Sequence, residues 1–197
     1  MGKGDDTRNA ILDAALQLAS RLGVEGLTIG ALARRAGLSK SGLYAHFEGR
    51  EDLQCAMLDA AVDRFVEQVL RPATRAPRGL PRVLVLFDRW VDWQTNRLDG
   101  GCVFMSAASE FDDRPGPVRE RVVKHVNDLM ANIARAATIA RDEGHLSADL
   151  DAEQFAFEFW ACLLAHQQFA RLLDDPQARQ RATRQLHATL TRFGATL

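Results

Sequence analysis

The segment at residues 38–53, LSKSGLYAHFEGREDL, combines side chains that can bind phosphate with unusually small ones. Lys40, Tyr44 and His46 all carry hydrogen-bond donors, and such side chains make many of the contacts that proteins form with a nucleic-acid backbone. The residues between them are Ser41, Gly42 and Ala45. A core helix would carry larger apolar residues there, and a solvated helix would carry charged ones. The pattern therefore indicates a helix whose backbone must approach another molecule closely.

This segment belongs to a predicted helix–turn–helix. Thr28 is expected to cap one short helix, which Gly37 ends, and Ser39 is expected to cap the next. In a helix–turn–helix the second helix lies in the major groove of DNA. Residues 28–47 therefore predict a unit that reads DNA.

A helical wheel of residues 40–47, at about 100° per residue, separates the two faces of this second helix. Leu43 and Phe47 point inward, and Ser41, Gly42 and Ala45 form what we call the small-residue face on the opposite side. Lys40 and Tyr44 lie on one edge of that face and His46 lies on the other. The small-residue face lets the backbone approach base edges, while the edge residues reach the phosphates on either side of the groove. Arg35 and Arg50 add positive charge nearby.

The rest of the chain also has helical periodicity, and alternation typical of strands is hard to find. An all-α fold is expected. The first helix is expected to begin after an N-cap at Thr7 and to end at Gly23. Further helices are predicted at about residues 50–70, 80–97, 102–111 and 117–143, with two more opening at Asp151, where Gln154 completes a capping box, and at Asp175–Pro176.

Composition excludes several classes of protein. A net charge of −1 argues against bulk polycation binding, and the three widely spaced cysteines fit a reducing cytoplasm better than disulfides or zinc. No apolar run is long enough to span a membrane. The chain lacks the phosphate-loop, dinucleotide, zinc-protease and serine-hydrolase motifs, and its five histidines show no ligand spacing. We therefore expect a cytoplasmic protein that is not an enzyme and that needs no cofactor or metal.

The run TIGALARRAGLSKSGLYAHFEGREDL closely resembles the DNA-binding segment of the tetracycline-repressor (TetR) family of bacterial regulators, over roughly residues 8–55. The resemblance implies a three-helix DNA-binding domain at residues 1–52 and a helical ligand-binding and dimerisation domain at residues 53–197. It also implies a homodimer that binds a palindromic operator, usually as a repressor, and releases it when a small molecule binds. Arg50 departs mildly from the usual lysine.

Residues matching those that commonly touch DNA in that family are Thr28, Lys40, Ser41, Gly42, Tyr44, His46 and Arg50. Arg35 joins them as nearby positive charge. Ser39 joins them too, with a role as a simple helix cap equally open.

The second half of the chain carries the expected dimer contacts. Residues 155–173 are apolar almost all round, so this helix must be buried on more than one side, and the last helix has an apolar stripe. Residues expected at the dimer interface are Leu163, Leu186, Leu190 and Phe193. An ordinary monomeric core would explain the same pattern.

A mostly apolar cavity with a few polar groups suits an apolar or aromatic effector. Candidate pocket residues are Phe87, Trp90, Gln94, Phe104 and His166. Two other functions stay open. An enzyme would have to turn over a substrate, whereas a helical interaction protein or ligand sensor without operator binding would need a partner and would leave DNA unshifted. Lys40, Tyr44 and His46 argue against the loss of DNA binding.

Overall fold

The computed structural model describes residues 3–197, and side chains from residue 6 onward, as helices joined by turns, with no strand in that range. The helices are α1 (Lys3–Leu22), α2 (Ile29–Ala36), α3 (Lys40–Tyr44), α4 (Arg50–Phe65), α5 (Arg71–Arg75), α6 (Leu80–Asp92), α7 (Val103–Glu110), α8 (Pro117–Asp142), α9 (Ala152–Arg171) and α10 (Ala178–Arg192). Two π-helical segments interrupt them, the first at Val66–Leu70 and the second at Trp93–Arg97. The all-α expectation is confirmed.

The first helix begins earlier than its sequence predicts. Because α1 starts at Lys3, Thr7 lies inside the helix, and the prediction that it is the N-cap is wrong. No proline precedes Thr7, and acidic residues such as Asp6 favour a first helical turn. The end of α1 agrees with the prediction, since Gly23 follows Leu22 with a φ of 79° that favours glycine.

The predicted helix at residues 50–70 continues beyond its expected end. After α4 the first π segment leads into α5, which contains Pro72. A proline inside a helix lacks an N–H donor and clashes with the carbonyl four residues earlier. The wider turn of the π segment accommodates that clash, so the helical path persists to Arg75.

Of the two hydrogen-bond contacts that define the capping box predicted at the start of α9, only the one made by the Asp151 side chain is present. The Asp151 carboxylate accepts hydrogen bonds from the backbone N–H groups of Glu153 and Gln154, at 3.1 and 2.9 Å. The Gln154 amide does not return to Asp151 but donates to Glu158, at 2.9 Å. The Asp151 side chain therefore caps the helix start, and the reciprocal bond of a full capping box is not made.

The chain divides into two compact units. The first comprises Met1–Arg64 with Asn96–Val126, and the second comprises Phe65–Thr95 with Asn127–Leu197. Core side chains of the first unit include Leu16, Leu32, Leu43 and Phe47, and those of the second include Trp90, Phe155, Phe159 and Leu163. The predicted functional division between residues 52 and 53 stays a prediction.

Candidate nucleic-acid interface

Local caps hold α2 and α3 in place. The Thr28 hydroxyl accepts a hydrogen bond from the Ala31 N–H at 3.1 Å, and Ser39 Oγ accepts one from the Gly42 N–H at 3.0 Å. Gly37 ends α2 in the left-handed conformation, with a φ of 66°, where a side chain would be strained. These contacts turn the chain between the two helices as the sequence predicts.

The small-residue face of α3 lies opposite the core. Leu43 is fully buried and Phe47 is 2% exposed, which fixes the inner side of the helix. Ser41 and Ala45 are exposed on the other side, and Gly42 is half-buried. The structure therefore presents a strip of short side chains to solvent.

The polar residues predicted at the edges of this strip differ in exposure. Lys40 is exposed, and 55% of Tyr44 is exposed, so an apolar ring with a polar tip stands at the surface. His46 is half-buried, and its ring centroid lies 6.5 Å from that of Phe47. The predicted helix to residue 47 is too long, because α3 ends at Tyr44 and His46 sits in the turn that follows.

Ser39 acts as a cap in this structure. Its hydroxyl accepts from Gly42 and also lies 3.0 Å from the hydroxyl of Ser41. It remains exposed, so its predicted place among the DNA contacts stays a prediction.

The two arginines of the predicted set are already paired with carboxylates. Arg35 lies 3.4 Å from Asp99, and Arg50 lies 3.1 Å from Glu25. About half of the Arg35 side chain and 41% of the Arg50 side chain remain exposed. Because exposed ion pairs typically contribute about 0–1 kcal/mol, exchanging a carboxylate for a DNA phosphate costs little.

Sequence reasoning missed the contacts that support the turn between α1 and α2. The Glu110 carboxylate accepts hydrogen bonds from the backbone N–H groups of Val24 and Glu25, at 3.2 and 2.7 Å. The Gln54 amide donates a hydrogen bond to the Val24 carbonyl, at 2.7 Å. Glu110 lies about 85 residues away in sequence, so no local pattern could have indicated this contact.

Glycine is also required at position 100, in the turn that precedes α7. A Cβ at Gly100 would lie 1.8 Å from the carbonyl oxygen of Ser20, closer than any side chain allows. The Gly100 N–H donates to Ser20 Oγ at 2.8 Å, and the Asp99 N–H donates to the Gln17 side chain at 2.7 Å. Residues 99–100 therefore lie directly on α1, whereas the sequence places them only in the gap between the helices predicted at 80–97 and 102–111.

The predicted pocket residues separate into two groups. Phe87, Trp90, Gln94 and His166 lie in the second unit and are each at most 3% exposed. Phe104 belongs to the first unit, where its ring centroid lies 6.5 Å from that of His125. Whether these residues contact an effector stays a prediction.

A buried polar pair joins α9 to the second π segment. The Gln94 amide donates to the Leu163 carbonyl at 3.0 Å, so its oxygen faces His166 Nδ1 at 2.6 Å. Because that oxygen only accepts, Nδ1 carries the proton and Nε2 keeps a lone pair. Burial, together with the nearby Arg179, lowers the pKa of His166 below its usual 6.5 and keeps the ring neutral.

This buried histidine predicts a pH-dependent stability. As the pH falls below 6.5, an unfolded chain takes up a proton at His166 more readily than the folded chain, so the free energy of unfolding decreases. The slope for one such group is at most about 1.4 kcal/mol per pH unit. We expect His166→Gln to lose less stability between about pH 7.5 and 5.5 than the unaltered protein, measured by denaturant unfolding.

His187→Gln, at an exposed position of α10, is the matched control and should leave the pH dependence unchanged. An equal loss of stability in His166→Gln and the unaltered protein would show that His166 is not the group that titrates.

Most of the predicted dimer residues are buried within their own chain. Leu163, Leu186 and Leu190 are at most 2% exposed, and Phe193 is half-buried with its ring centroid 5.5 Å from that of Phe155. Their apolar stripes are therefore covered where α9 and α10 pack together. Their role between two chains stays a prediction.

A different apolar stripe on α9 remains uncovered. Phe157, Ala161, Ala165 and Phe169 follow one another at intervals of four residues, so they share one side of the helix, and all four are exposed. Phe157 is 62% exposed and Phe169 is 42% exposed. We call these four residues the α9 stripe.

Three further observations concern metal binding, thiol chemistry and membrane spans. Residues 6–197 contain no group of three or more histidine, cysteine or acidic residues that could hold a metal ion. Burial raises the pKa of the Cys162 thiol to about 11, so it is a poor nucleophile. No described helix is long and apolar enough to cross a membrane.

Family models match both parts of the chain. One, described as "Bacterial regulatory proteins, tetR family", matches residues 11–57, which contain the helix–turn–helix. Another, described as "Tetracyclin repressor-like, C-terminal domain", matches residues 79–186. The second match alone covers more than half of the 197 residues.

Individual relatives agree with these matches. The chain is 28% identical over 166 residues to the HTH-type transcriptional regulator TtgR of Pseudomonas putida, covering 81% of this chain and 77% of that protein. A TetR transcriptional regulator from Chloroflexus aurantiacus is 26% identical, with a TM-score of 0.87 and 97% of each chain covered. The structure of AibR with isovaleryl coenzyme A and operator DNA shares the fold at 22% identity, with a TM-score of 0.73 over 92% of this chain and 97% of that one.

Proposed function

The chain belongs to the tetracycline-repressor family of bacterial transcriptional regulators, and we propose that it is a cytoplasmic repressor that binds a palindromic operator as a homodimer and releases it on binding a small molecule. The family consists of DNA-binding regulators, and we assign the chain no catalytic step.

The small-residue face of α3 carries this proposal. Leu43 and Phe47 are buried in the core of the first unit, so Ser41, Gly42 and Ala45 lie on the side away from that core. A helix without long side chains on its outer face can approach the floor of the major groove. Lys40 and Tyr44 then lie where they can bind the phosphates beside the groove.

The α9 stripe supports the homodimer. Four exposed apolar residues in line along one helix are costly to leave in water, and a second copy of the same helix would cover them. An open cavity of about 240 Å³ beside the stripe, lined in part by Ala165, Phe169 and Ala182, can receive side chains of the second copy. A two-fold dimer presents two identical α3 helices, which is why the operator should be a palindrome.

The effector is proposed to bind the second unit. AibR, which shares the fold, was crystallised with both isovaleryl coenzyme A and operator DNA. A ligand that binds better to the arrangement unable to hold DNA shifts the population toward it, and only this difference in affinity drives release. A coupling of about 1–3 kcal/mol, or roughly 5–150-fold in operator affinity, is the usual range.

Selection of bound duplexes from a random DNA pool tests the proposal. We expect a palindrome whose half-sites lie about 34–36 Å apart. The two α3 helices of a two-fold dimer would bind successive major grooves on one face of the DNA duplex. If the protein enriches no sequence and shifts no duplex, the alternative of a helical interaction protein or ligand sensor without operator binding is correct.

Lys40→Ala should weaken operator binding by a similar factor for all sequences. Without the Lys40 charge, DNA binding releases about one counterion fewer. The negative slope of log affinity against log salt should therefore become shallower by about one unit. Fluorescence anisotropy over a salt series measures this slope. Lys124→Ala, at an exposed lysine of α8, is the matched control and should leave the slope unchanged. A base-specific loss at constant slope would place Lys40 on a base edge instead.

A further inference from the structure

Five aromatic rings, including that of Trp90, pack together in the second unit, and we call them the aromatic cluster. Its members are Phe65, Trp90, Trp93, Phe159 and Trp160. Phe65 makes edge contacts with both Trp90 and Trp93, with ring centroids 4.6 and 5.5 Å apart. The rings of Phe159 and Trp160 lie 6.3 and 5.8 Å from that of Trp90.

Two hydrogen-bond donors in this cluster are unsatisfied. The indole N–H groups of Trp90 and Trp93 are buried and have no hydrogen-bond partner among the residues that the structure describes. Ring faces accept hydrogen bonds only weakly, so the neighbouring aromatic rings are poor substitutes. Unpartnered buried donors are uncommon because burying them costs free energy, and each one requires an explanation.

The backbone beside the cluster is also unusual. The second π segment begins at Trp93, and the first π segment begins directly after Phe65. π-helical turns are uncommon and are frequently found at functional sites. Gln94, the residue after Trp93, directs its amide to Leu163 and His166, so it does not serve the two indoles as an acceptor. The π-helical backbone and the unpartnered indole N–H groups are independent observations, and both point to the aromatic cluster.

We propose that the aromatic cluster binds a neutral aromatic molecule with a hydrogen-bond-accepting oxygen, such as a ketone, ester or amide, which accepts from the indole N–H groups of Trp90 and Trp93. The rings supply apolar contact, and the cluster itself contains no charged side chain that could pair with an ionic ligand. The assignment names the ligand class of the effector site and therefore rests on the proposed ligand response.

The chain offers an unusually selective readout for this proposal. It has three tryptophans, and all three belong to the aromatic cluster. Every indole N–H signal in a ¹H–¹⁵N correlation spectrum of the whole protein therefore reports on this site. Trp90→Phe, Trp93→Phe and Trp160→Phe assign the three signals, and melting curves confirm that each variant folds.

The probes are matched pairs that differ in a carbonyl oxygen: acetophenone against ethylbenzene, and benzophenone against diphenylmethane. We expect the ketones to bind about tenfold more tightly, which is the scale of one or two net hydrogen bonds. They should also shift the indole protons of Trp90 and Trp93 downfield, whereas the hydrocarbons should not. Trp90→Phe and Trp93→Phe should each reduce the preference for the ketone over the hydrocarbon. Trp160→Phe removes an indole N–H that has no part in the assignment, so it can weaken both probes but should leave the ratio of their affinities unchanged.

Several results would overturn the assignment. It is wrong if no ketone moves the indole signals of the unaltered protein, if the hydrocarbons bind equally well, or if only the cation benzyltrimethylammonium binds. Operator affinity is measured separately with saturating ketone. Shifted indoles with unchanged operator affinity would refute ligand-driven release while leaving the ligand class of the cluster in place.

Discussion

Replacing Gly42 by leucine should reduce operator binding to the level of non-specific DNA, a loss of about a thousandfold or more. A Cβ at this position would lie 3.3 Å from Ser39 Oγ and 4.0 Å from Leu38 Cβ, and the longer side chain extends from the small-residue face. It would stand between α3 and the groove floor, so the base contacts could not form. Anisotropy titrations with the selected operator and with a scrambled duplex measure the loss.

The fold should survive this substitution. Leucine is a better helix former than glycine by up to about 1 kcal/mol, and Gly42 has no left-handed backbone that would require glycine. Gly42→Ala is the graded control, because one methyl group intrudes less and should cost less affinity. If Gly42→Leu melts normally and still binds the operator with full affinity, the small-residue face does not meet DNA.

Replacing Ala165 by arginine should break the homodimer. Ala165 lies in the middle of the α9 stripe, so two unpaired charges would be forced into an apolar two-fold contact. Desolvating such a charge costs several kcal/mol, and each ~1.4 kcal/mol is a tenfold change, so the dimer should weaken more than about a hundredfold. Operator affinity should fall with it, because one half-site alone supplies too few contacts.

Sedimentation equilibrium gives the mass directly. Ala131→Arg makes the same change at an exposed alanine of α8 and should leave the dimer intact. A dimer that persists in Ala165→Arg would place the interface away from the α9 stripe. Leu186→Arg is a poorer test, because Leu186 is 2% exposed within its own chain and the variant would lose its fold first.

The sequence predicts what is local in the helix–turn–helix. Thr28, Gly37 and Ser39 act through partners within a few residues, so capping rules place α2 and the start of α3 correctly. The pairing of Arg35 with Asp99 and the bonds from Glu110 to the α1–α2 turn join residues 64 to 86 apart. A single sequence contains no signal for such pairs.

The residues predicted at the dimer interface show a second limit of prediction from a single sequence. An apolar stripe indicates that a helix face is buried, but it does not say by what. Leu163, Leu186 and Leu190 are buried by other parts of their own chain. The side of α9 that stays exposed runs through Phe157 and Ala161. The π segments beside Trp93 and Phe65 likewise have no periodic pattern from which they could be predicted.

Dimethyl sulfate footprinting on the selected operator tests the central claim most directly, because the reagent methylates guanine N7 in the major groove and adenine N3 in the minor groove. Two copies of α3 in successive major grooves should protect guanine N7 in two half-sites about one helical turn apart. The same protection should be absent with Gly42→Leu at equal protein concentration. Protection of adenine N3 alone, or of a single half-site, would contradict the assignment of α3 as the helix with which a homodimer reads DNA.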